Sequence, residues 1–361
     1  MACVTLNFMG DVMLGEMLEN YKRGVSSKIN KSKVNPFENC NKVLETSDLN
    51  IANLECVISD HSEKSKPFSD FLRVPSSFST ILKDNDIHIV NLANNHSLDH
   101  GSTAFKDMVN LLNNNGIETF GYSVDLLFQE NPIIITIKNF KIGFIGYNIA
   151  NLPETKLSSI IEKINKITIK SKKQVDLLVL SLHWGYEYVD FPAPKFVAMG
   201  KRFIENGADI LFGHHSHMIQ GVTKYKEKIL APSLGNFVFD NRLKSNRLSG
   251  ILRVKIDTQS SKIDFDILPY FINGLFQPEP RNDLLPKLIN LNESLTKIVS
   301  CQSKAEAIKW NNKALRKSNV GHLKNRIMMR LFFIIHIENY YPYIWKILKK
   351  KLLNGKVFSA S

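Results

Sequence analysis

At 361 residues and 43% hydrophobic content, the chain has material for a sizeable core, which excludes a disordered polypeptide. Its formal charge of +13 is lopsided, because thirteen Lys and Arg against two Glu lie from residue 301 onward. Basicity is therefore a property of the tail, and with no recognition motif beside it nucleic acid is not an expected partner. Four scattered cysteines without a CxxC pair exclude a disulfide framework or zinc ribbon and suit a reducing compartment.

Residues 3–9 of MACVTLNFMGDVMLG read as a strand ending at Gly10-Asp11. No basic stretch followed by a long apolar segment precedes it, so no cleavable signal peptide is expected. No apolar run reaches the ~18–20 residues of a spanning helix. DLNIANLECVIS (48–59) reads as a buried strand with Asn53 and Glu55 at its centre, and DIHIVNLANNH (86–96) as an apolar run with a polar end. From Gly101 to Asn115, Phe105, Met108, Val109 and Leu112 recur at helical spacing, with Gly116 as the stop. PIIITIKNFKIGFIGYN reads as a hairpin turning near Asn139.

VDLLVLSLHWG is a continuous apolar strand ending at His183, and Phe196, Met199, Phe203 and Ile204 then line one helix face before Gly207. DILFGHHSH runs a strand into three histidines, and KILAPSLGNFVFD supplies another strand and loop. ILRVKIDTQSSKIDFDILPYF alternates apolar and polar residues as a two-stranded antiparallel ribbon. Strands and helices alternating through 3–235, with hairpins beside them, predict an α/β sandwich with mixed sheets. A composition shift at QPEPRNDLLP, near residue 280, divides a domain over 1–280 from a basic, aromatic-rich helical tail over 281–361.

Polar residues with ligand chemistry recur where apolar strands end. Asp11 ends the first strand, Glu55 lies in the second, Asn95 and His96 end the third, and His183 ends a later one; His214, His215 and His217 follow the next. Ligand sites in α/β proteins favour such ends, because rigid strands hold loops that are free to vary. Clustered imidazoles cost desolvation and pack no better than leucine, so they ask for a metal or an anion. Carboxylate, amide oxygen and neutral imidazole together suit one or two divalent ions such as Mn, Fe, Zn or Mg, able to clamp a phosphoryl oxygen and activate water.

GDVMLG (10–15), NLE (53–55), NNHSLDHG (94–101), HWGYEY (183–188), GHHSHMIQG (213–221) and SLGNFVFD (233–240) resemble, in that order, the signatures of the CapA family. These are bacterial capsule or poly-γ-glutamate synthesis proteins, similar in fold to calcineurin-like metallophosphoesterases. The resemblance spans about residues 3–270 and implies a metallophosphoesterase-like αββα sandwich with mixed sheets, the basic helical appendage following it. It further implies Asp11, Glu55, Asn95, His183, His215 and His217 as metal ligands, Glu55 bridging, and His96 as the acid that protonates a leaving oxygen. Glu187, Tyr188, His214, Gln220 and Asn236 fall in the same motif blocks as substrate contacts, and spacing leaves open which of His214 and His215 binds metal.

The first motif departs from the phosphoesterase form Asp-x-His, since Met13 stands at its third position and a thioether is a poor ligand for hard metals. The expected function is a CapA-like role in capsule or extracellular polymer synthesis, with a metal-dependent phosphoesterase-like site acting on a phosphate- or carboxylate-bearing polymer or precursor. The alternative, favoured by Met13, is a non-hydrolytic assembly or binding factor for a membrane-bound polymer synthase. LKNRIMMRLFFIIHIENYYPYIWKILKKKLL (323–353), broken by Pro342, reads either as a helical pair packed on the sandwich or as an interfacial segment on an anionic membrane, with Trp345 at the headgroups. Because the chain starts at the first motif strand, without the N-terminal tether of such proteins, a cytoplasmic place, peripheral at the inner membrane surface, is expected.

Overall fold

The apolar opening of the chain forms β1 (Cys3–Val12), and the larger sheet builds outward from it. The computed structural model describes residues 3–17, 20–63, 72–122, 128–241 and 243–335. In chain order β1 is followed by α1 (Val25–Ser32), α2 (Asn41–Leu44), β2 (Leu49–Leu54), β3 (Val57–Ile58), β4 (Arg73–Val74), α3 (Ser79–Lys83), β5 (Ile89–Asn91), α4 (Gly101–Asn114) and β6 (Glu118–Phe120). Then come β7 (Ile133–Ile137), β8 (Phe140–Asn148), α5 (Glu154–Lys172), β9 (Leu177–His183), α6 (Pro194–Glu205), β10 (Ile210–His214), β11 (Thr223–Tyr225) and β12 (Lys228–Ala231). The chain closes with β13 (Asn236–Val238), β14 (Leu248–Asp257), β15 (Ile263–Ile272), β16 (Pro278–Pro280), α7 (Leu285–Ser300) and α8 (Lys304–Ile335).

One sheet runs β16-β15-β14-β1-β2-β5-β6, with β13 also pairing β1; the other runs β11-β12-β10-β9-β8-β7. Both are mixed: β1, β2, β5 and β6 are parallel and so are β8, β9, β10 and β12, while β14 joins β1 and β7 joins β8 antiparallel. Alternation along the strands decides the layers. Val4, Leu6 and Phe8 of β1 share an inner core with Leu177 and Val179 of β9 and with Phe212. Met9 and Val12 face outward with Phe105, Met108 and Leu112 of α4. Leu178, Leu180 and Leu182 face the opposite way with Ile164 of α5 and Phe203 of α6. Two sheets face to face between two helical layers make the four-layer αββα sandwich that the strand and helix order predicts.

The 133–148 hairpin turns at Lys138 and Asn139, both at positive φ (51° and 64°), as a two-residue connection requires. Segment 48–59 is not one strand. β2 stops at Leu54, the Glu55 N–H still donates to Val12 O of β1, and β3 then leaves to pair with β4. The 86–96 run ladders only at β5; beyond it, Asn91 Oδ1 accepts from Ala93 N and Asn94 Oδ1 from His96 N, turning the chain by side chain rather than by ladder.

α7 lies on the sandwich with Leu288 in the inner core, and Leu295, Ile298 and Val299 join Ala314 of α8 in the outer cluster over β9. No helix among the described residues is long and apolar enough to cross a membrane. The second half of the 323–353 segment, with Pro342 and Trp345, lies outside the described residues.

Candidate metal centre

The C-terminal ends of β1, β2, β9 and β10 meet at one edge of the sandwich, and register aligns their last residues. Asp11 pairs with Asn53 on β2 and with Asn236 on β13, while His183 of β9 pairs with His214 of β10. Gly10 permits the approach of β13: a Cβ there would stand 2.0 Å from Gly235 O, and the next amide, Asp11 N, donates to that same oxygen at 2.8 Å. Past His214 the chain leaves the strand, with His215 at φ 85° and His217 at φ 55°, so successive imidazoles turn to different sides of the edge.

Asp11, Glu55 and His183 are buried and present ligand atoms all within 4.8 Å of one another. His183 Nε2 lies 3.8 Å from Glu55 Oε1 and 3.2 Å from His215 Nδ1. His214 takes a different position, its Nδ1 2.9 Å from Asp11 Oδ1. Asn53 Nδ2 donates to that same oxygen at 2.8 Å, so Oδ1 is held by an amide with the His214 ring close beside it, and Oδ2 is left without a hydrogen bond. His217 Nδ1 hydrogen-bonds Asn236 Oδ1 at 2.9 Å and stands 3.5 Å from Asp11 Oδ2. His96 is oriented by Asp99, Nδ1 to Oδ2 at 2.8 Å, with its Nε2 4.0 Å from Glu55 Oε1 and 3.2 Å from Asn95 Nδ2.

Asp11 Oδ2, both Glu55 carboxylate oxygens and Asn95 Oδ1 are buried without a hydrogen-bond partner among the described residues. Orphaned oxygens of this kind cost on the order of 1–3 kcal/mol each, more when charged, and are retained where something else satisfies them. The set of two carboxylates, an amide oxygen and facing imidazoles fits a divalent cation. His183 Nδ1 also lacks a partner, so the Nε2 side alone sets the tautomer of that ring.

Electrostatics favour the same occupant. Burial, with the Asp11 charge behind it, holds Glu55 well above the usual carboxylate range. Burial pushes Asp11 the same way, but the contacts of His214 and His217 outweigh it and keep Asp11 ionised. Against its own burial, His217 is raised to about 10 by Glu55 and Asp11. Burial depresses His183 strongly and takes His215 down to about 4, so both of those rings are neutral and offer lone pairs.

Of the residues singled out in the sequence, Asp11, Glu55, Asn95, His96, His183, His214, His215, His217 and Asn236 gather at this edge. Glu187 reaches it from the loop after β9, with Oε1 3.8 Å from His215 Nε2, and the Tyr188 ring lies 6.2 Å from that of His217. Gln220 is spent elsewhere, donating to Val189 O at 2.8 Å and Ser216 Oγ at 3.2 Å beneath the loop. Met13 is fully buried in the outer core, so the position where the motif calls for an imidazole is a packing position. Buried asparagines inside apolar strands are the only sequence signal for the amide ladder Asn91 to Asn53 to Asp11, 2.9 and 2.8 Å, and nothing in the sequence places the tail helix, α8, against the loop of Glu187 and Tyr188.

A four-layer sandwich with carboxylates and imidazoles gathered at its parallel strand ends places a candidate cation site where such folds hold their ligands. Residues 5–241 match the family described as bacterial capsule synthesis protein PGA_cap, and the chain belongs to that family. It is 27% identical over 299 residues to the capsule biosynthesis protein CapA of Bacillus anthracis, covering 79% of this chain and 71% of that protein. It is 24% identical over 312 residues to the PGA biosynthesis protein CapA of Bacillus subtilis (strain 168), covering 81% and 78%. Among solved structures, a hypothetical protein from Thermus thermophilus superposes with a TM-score of 0.47 at 14% identity, over 77% of this chain and all 100% of that one.

Proposed function

We propose that the centre binds a divalent cation, of the Mn, Fe, Zn or Mg type, and acts on a phosphate- or carboxylate-bearing polymer or precursor during capsule synthesis of the poly-γ-glutamate kind. The observation that carries this reading is the buried trio Asp11, Glu55 and His183 with unsatisfied carboxylate oxygens. Glu55, Asp11 Oδ2, His183 Nε2 and His215 Nδ1 would hold the ion, with Asn95 Oδ1 beside them. When bound, such an ion supplies Lewis acidity toward a phosphoryl oxygen and lowers the pKa of water.

The remaining steps belong to the chain's own side chains. His96 is 29% exposed, unlike the buried carboxylate beside it, so it faces the side from which substrate arrives. Its Nδ1 is held by Asp99, which fixes the ring, and its Nε2, turned toward Asn95 Nδ2 at 3.2 Å, would hand a proton to a leaving oxygen when substrate takes the place of that amide. Asn53 and His214 pin Asp11, and Asn236 pins His217, so the geometry is preset. Full-length protein with Mn²⁺ should hydrolyse bis(p-nitrophenyl) phosphate, and His96→Ala should slow that about 10²-fold or more with metal affinity retained. Turnover unchanged in His96→Ala sinks the assignment of the acid.

A second reading keeps the cation but not the hydrolysis: the protein is a binding or assembly factor for a membrane-bound polymer synthase. Burial of Met13 in the core favours it, because a two-metal phosphoesterase centre needs an imidazole there. In either role, α8 would bring the protein to an anionic membrane surface. Exposed Leu315, Val320, Leu323 and Ile327 lie among Lys and Arg on that helix. Sedimentation with phosphatidylserine vesicles separates this from a freely diffusing protein.

A further inference from the structure

The loop after β9 that carries Glu187 and Tyr188 is gripped by α8 along its length. Trp310 meets Phe191 edge to face at 5.1 Å, Lys317 pairs with Asp190, and Asn325 Nδ2 donates to Tyr188 Oη at 3.1 Å. Gly321 is where the helix crosses the loop. A Cβ there would stand 2.3 Å from Tyr188 Cβ, far inside the ~3.5–4.0 Å of carbon contact, so a side chain would push the helix off. Tyr188 is itself at φ 64°, its N–H donating to Ser216 O at 2.8 Å, so the loop is fastened to the histidine segment on one side and to α8 on the other.

Glu187 spans the two. Oε1 faces His215 Nε2 at 3.8 Å and Oε2 faces His322 Nδ1 at 3.7 Å. His215 turns its other nitrogen, Nδ1, to His183 in the centre. A carboxylate behind a ligating imidazole fixes its ring orientation and raises its basicity. We propose that α8 is a working part of the metal centre: His322 positions Glu187, which orients His215, while Gly321 and Asn325 seat the loop. His322 is thus a positioning residue, more than a hundred residues beyond the histidine motif. This rests on the reading of the centre as a cation site.

The test is Mn²⁺ titration of the full-length protein by calorimetry, with amide exchange of residues 185–190 followed in the metal-free form. Glu187→Gln should weaken Mn²⁺ binding roughly tenfold, and His322→Ala roughly three- to tenfold. His322→Gln, which keeps a donor toward Glu187, should restore most of the loss. In the Glu187→Gln background His322→Ala should add nothing, because the two act along one line. Gly321→Val should speed exchange of residues 185–190, and it should do so with the rest of the fold protected. Wild-type protein that takes up no Mn²⁺ sinks both the cation reading and this coupling. Wild type that binds, with His322→Ala unaffected or additive to Glu187→Gln, overturns the coupling alone.

Discussion

His183 Nε2 and His215 Nδ1 face each other at 3.2 Å, and burial keeps both rings neutral. Two neutral imidazoles in that arrangement satisfy one another with a single shared proton at best, whereas a cation takes both lone pairs at once. The first expectation is therefore that Mn²⁺ stabilises the protein against heat. At a concentration 100 times Kd the linkage is about 2.7 kcal/mol, a rise of several degrees in Tm. Scanning calorimetry should show that rise reversed by EDTA and abolished in His183→Ala; an equal rise in the variant places the ion elsewhere.

The two carboxylates should respond oppositely to loss of charge. Glu55 is driven toward its protonated form, so Glu55→Gln is near-isosteric with the metal-free native state and should leave its stability within about 1 kcal/mol. Asp11 is ionised between His214 and His217, so Asp11→Asn breaks a buried charge pair and should cost about 3 kcal/mol. Urea unfolding of both metal-free variants checks the contrast, and both should lose metal affinity. Equal destabilisation would mean that Glu55 is charged without metal.

Much of this centre was legible because parallel strands end together. Once Asp11, Glu55 and His183 are placed at strand ends, a sandwich brings them to one edge whatever the loops do. The choice between His214 and His215 was not legible, since it depends on where β10 stops. His214 is the last paired residue and turns to Asp11, and His215 steps out at φ 85° to meet His183. The extent of the strand at 48–59 is not legible for a related reason: its apolar pattern continues past Glu55, but the chain changes partner there, from β1 and β5 to β4. The contact of α8 with the loop of Glu187 and Tyr188 has no local signal, although packing of the tail on the sandwich is one of the two readings its sequence offers. Gly321 and His322 look like ordinary positions in a basic helix, and only tertiary packing sets them against Tyr188 and Glu187.

Burial also separates the thiols. Cys56 lies beside Leu14 N in the outer core with its thiol pushed up to about 12, and burial raises Cys40 further still. Cys3 is exposed and Cys301 is partly so. Maleimide at neutral pH should label Cys3 and Cys301 in the native protein and spare Cys40 and Cys56 until denaturant is added. Mass spectrometry of the labelled peptides checks this, and rapid native labelling of Cys56 would contradict the closed packing behind Glu55.

Proton release tests the charge state of the whole centre. In the metal-free protein burial holds Glu55 above the carboxylate range and His217 is raised to about 10, so at neutral pH His217 carries a proton that a divalent cation opposes, and Glu55 is biased the same way. His183 and His215 are already neutral and give up none. Binding must then expel protons, and linkage requires affinity to rise with pH across the neutral range. The same signs apply to the metal-free fold. A raised His217 contributes stability that is complete below about pH 6.5 and is lost as pH climbs toward 10. The depressed His215 contributes stability that is complete above about pH 6.5 and is lost as pH falls toward 4. Calorimetric titrations at pH 7 in buffers of different ionisation enthalpy should report at least one proton released per Mn²⁺ bound. Uptake of a proton, or affinity that falls between pH 6 and 8, would mean that the carboxylates meet the ion already bare.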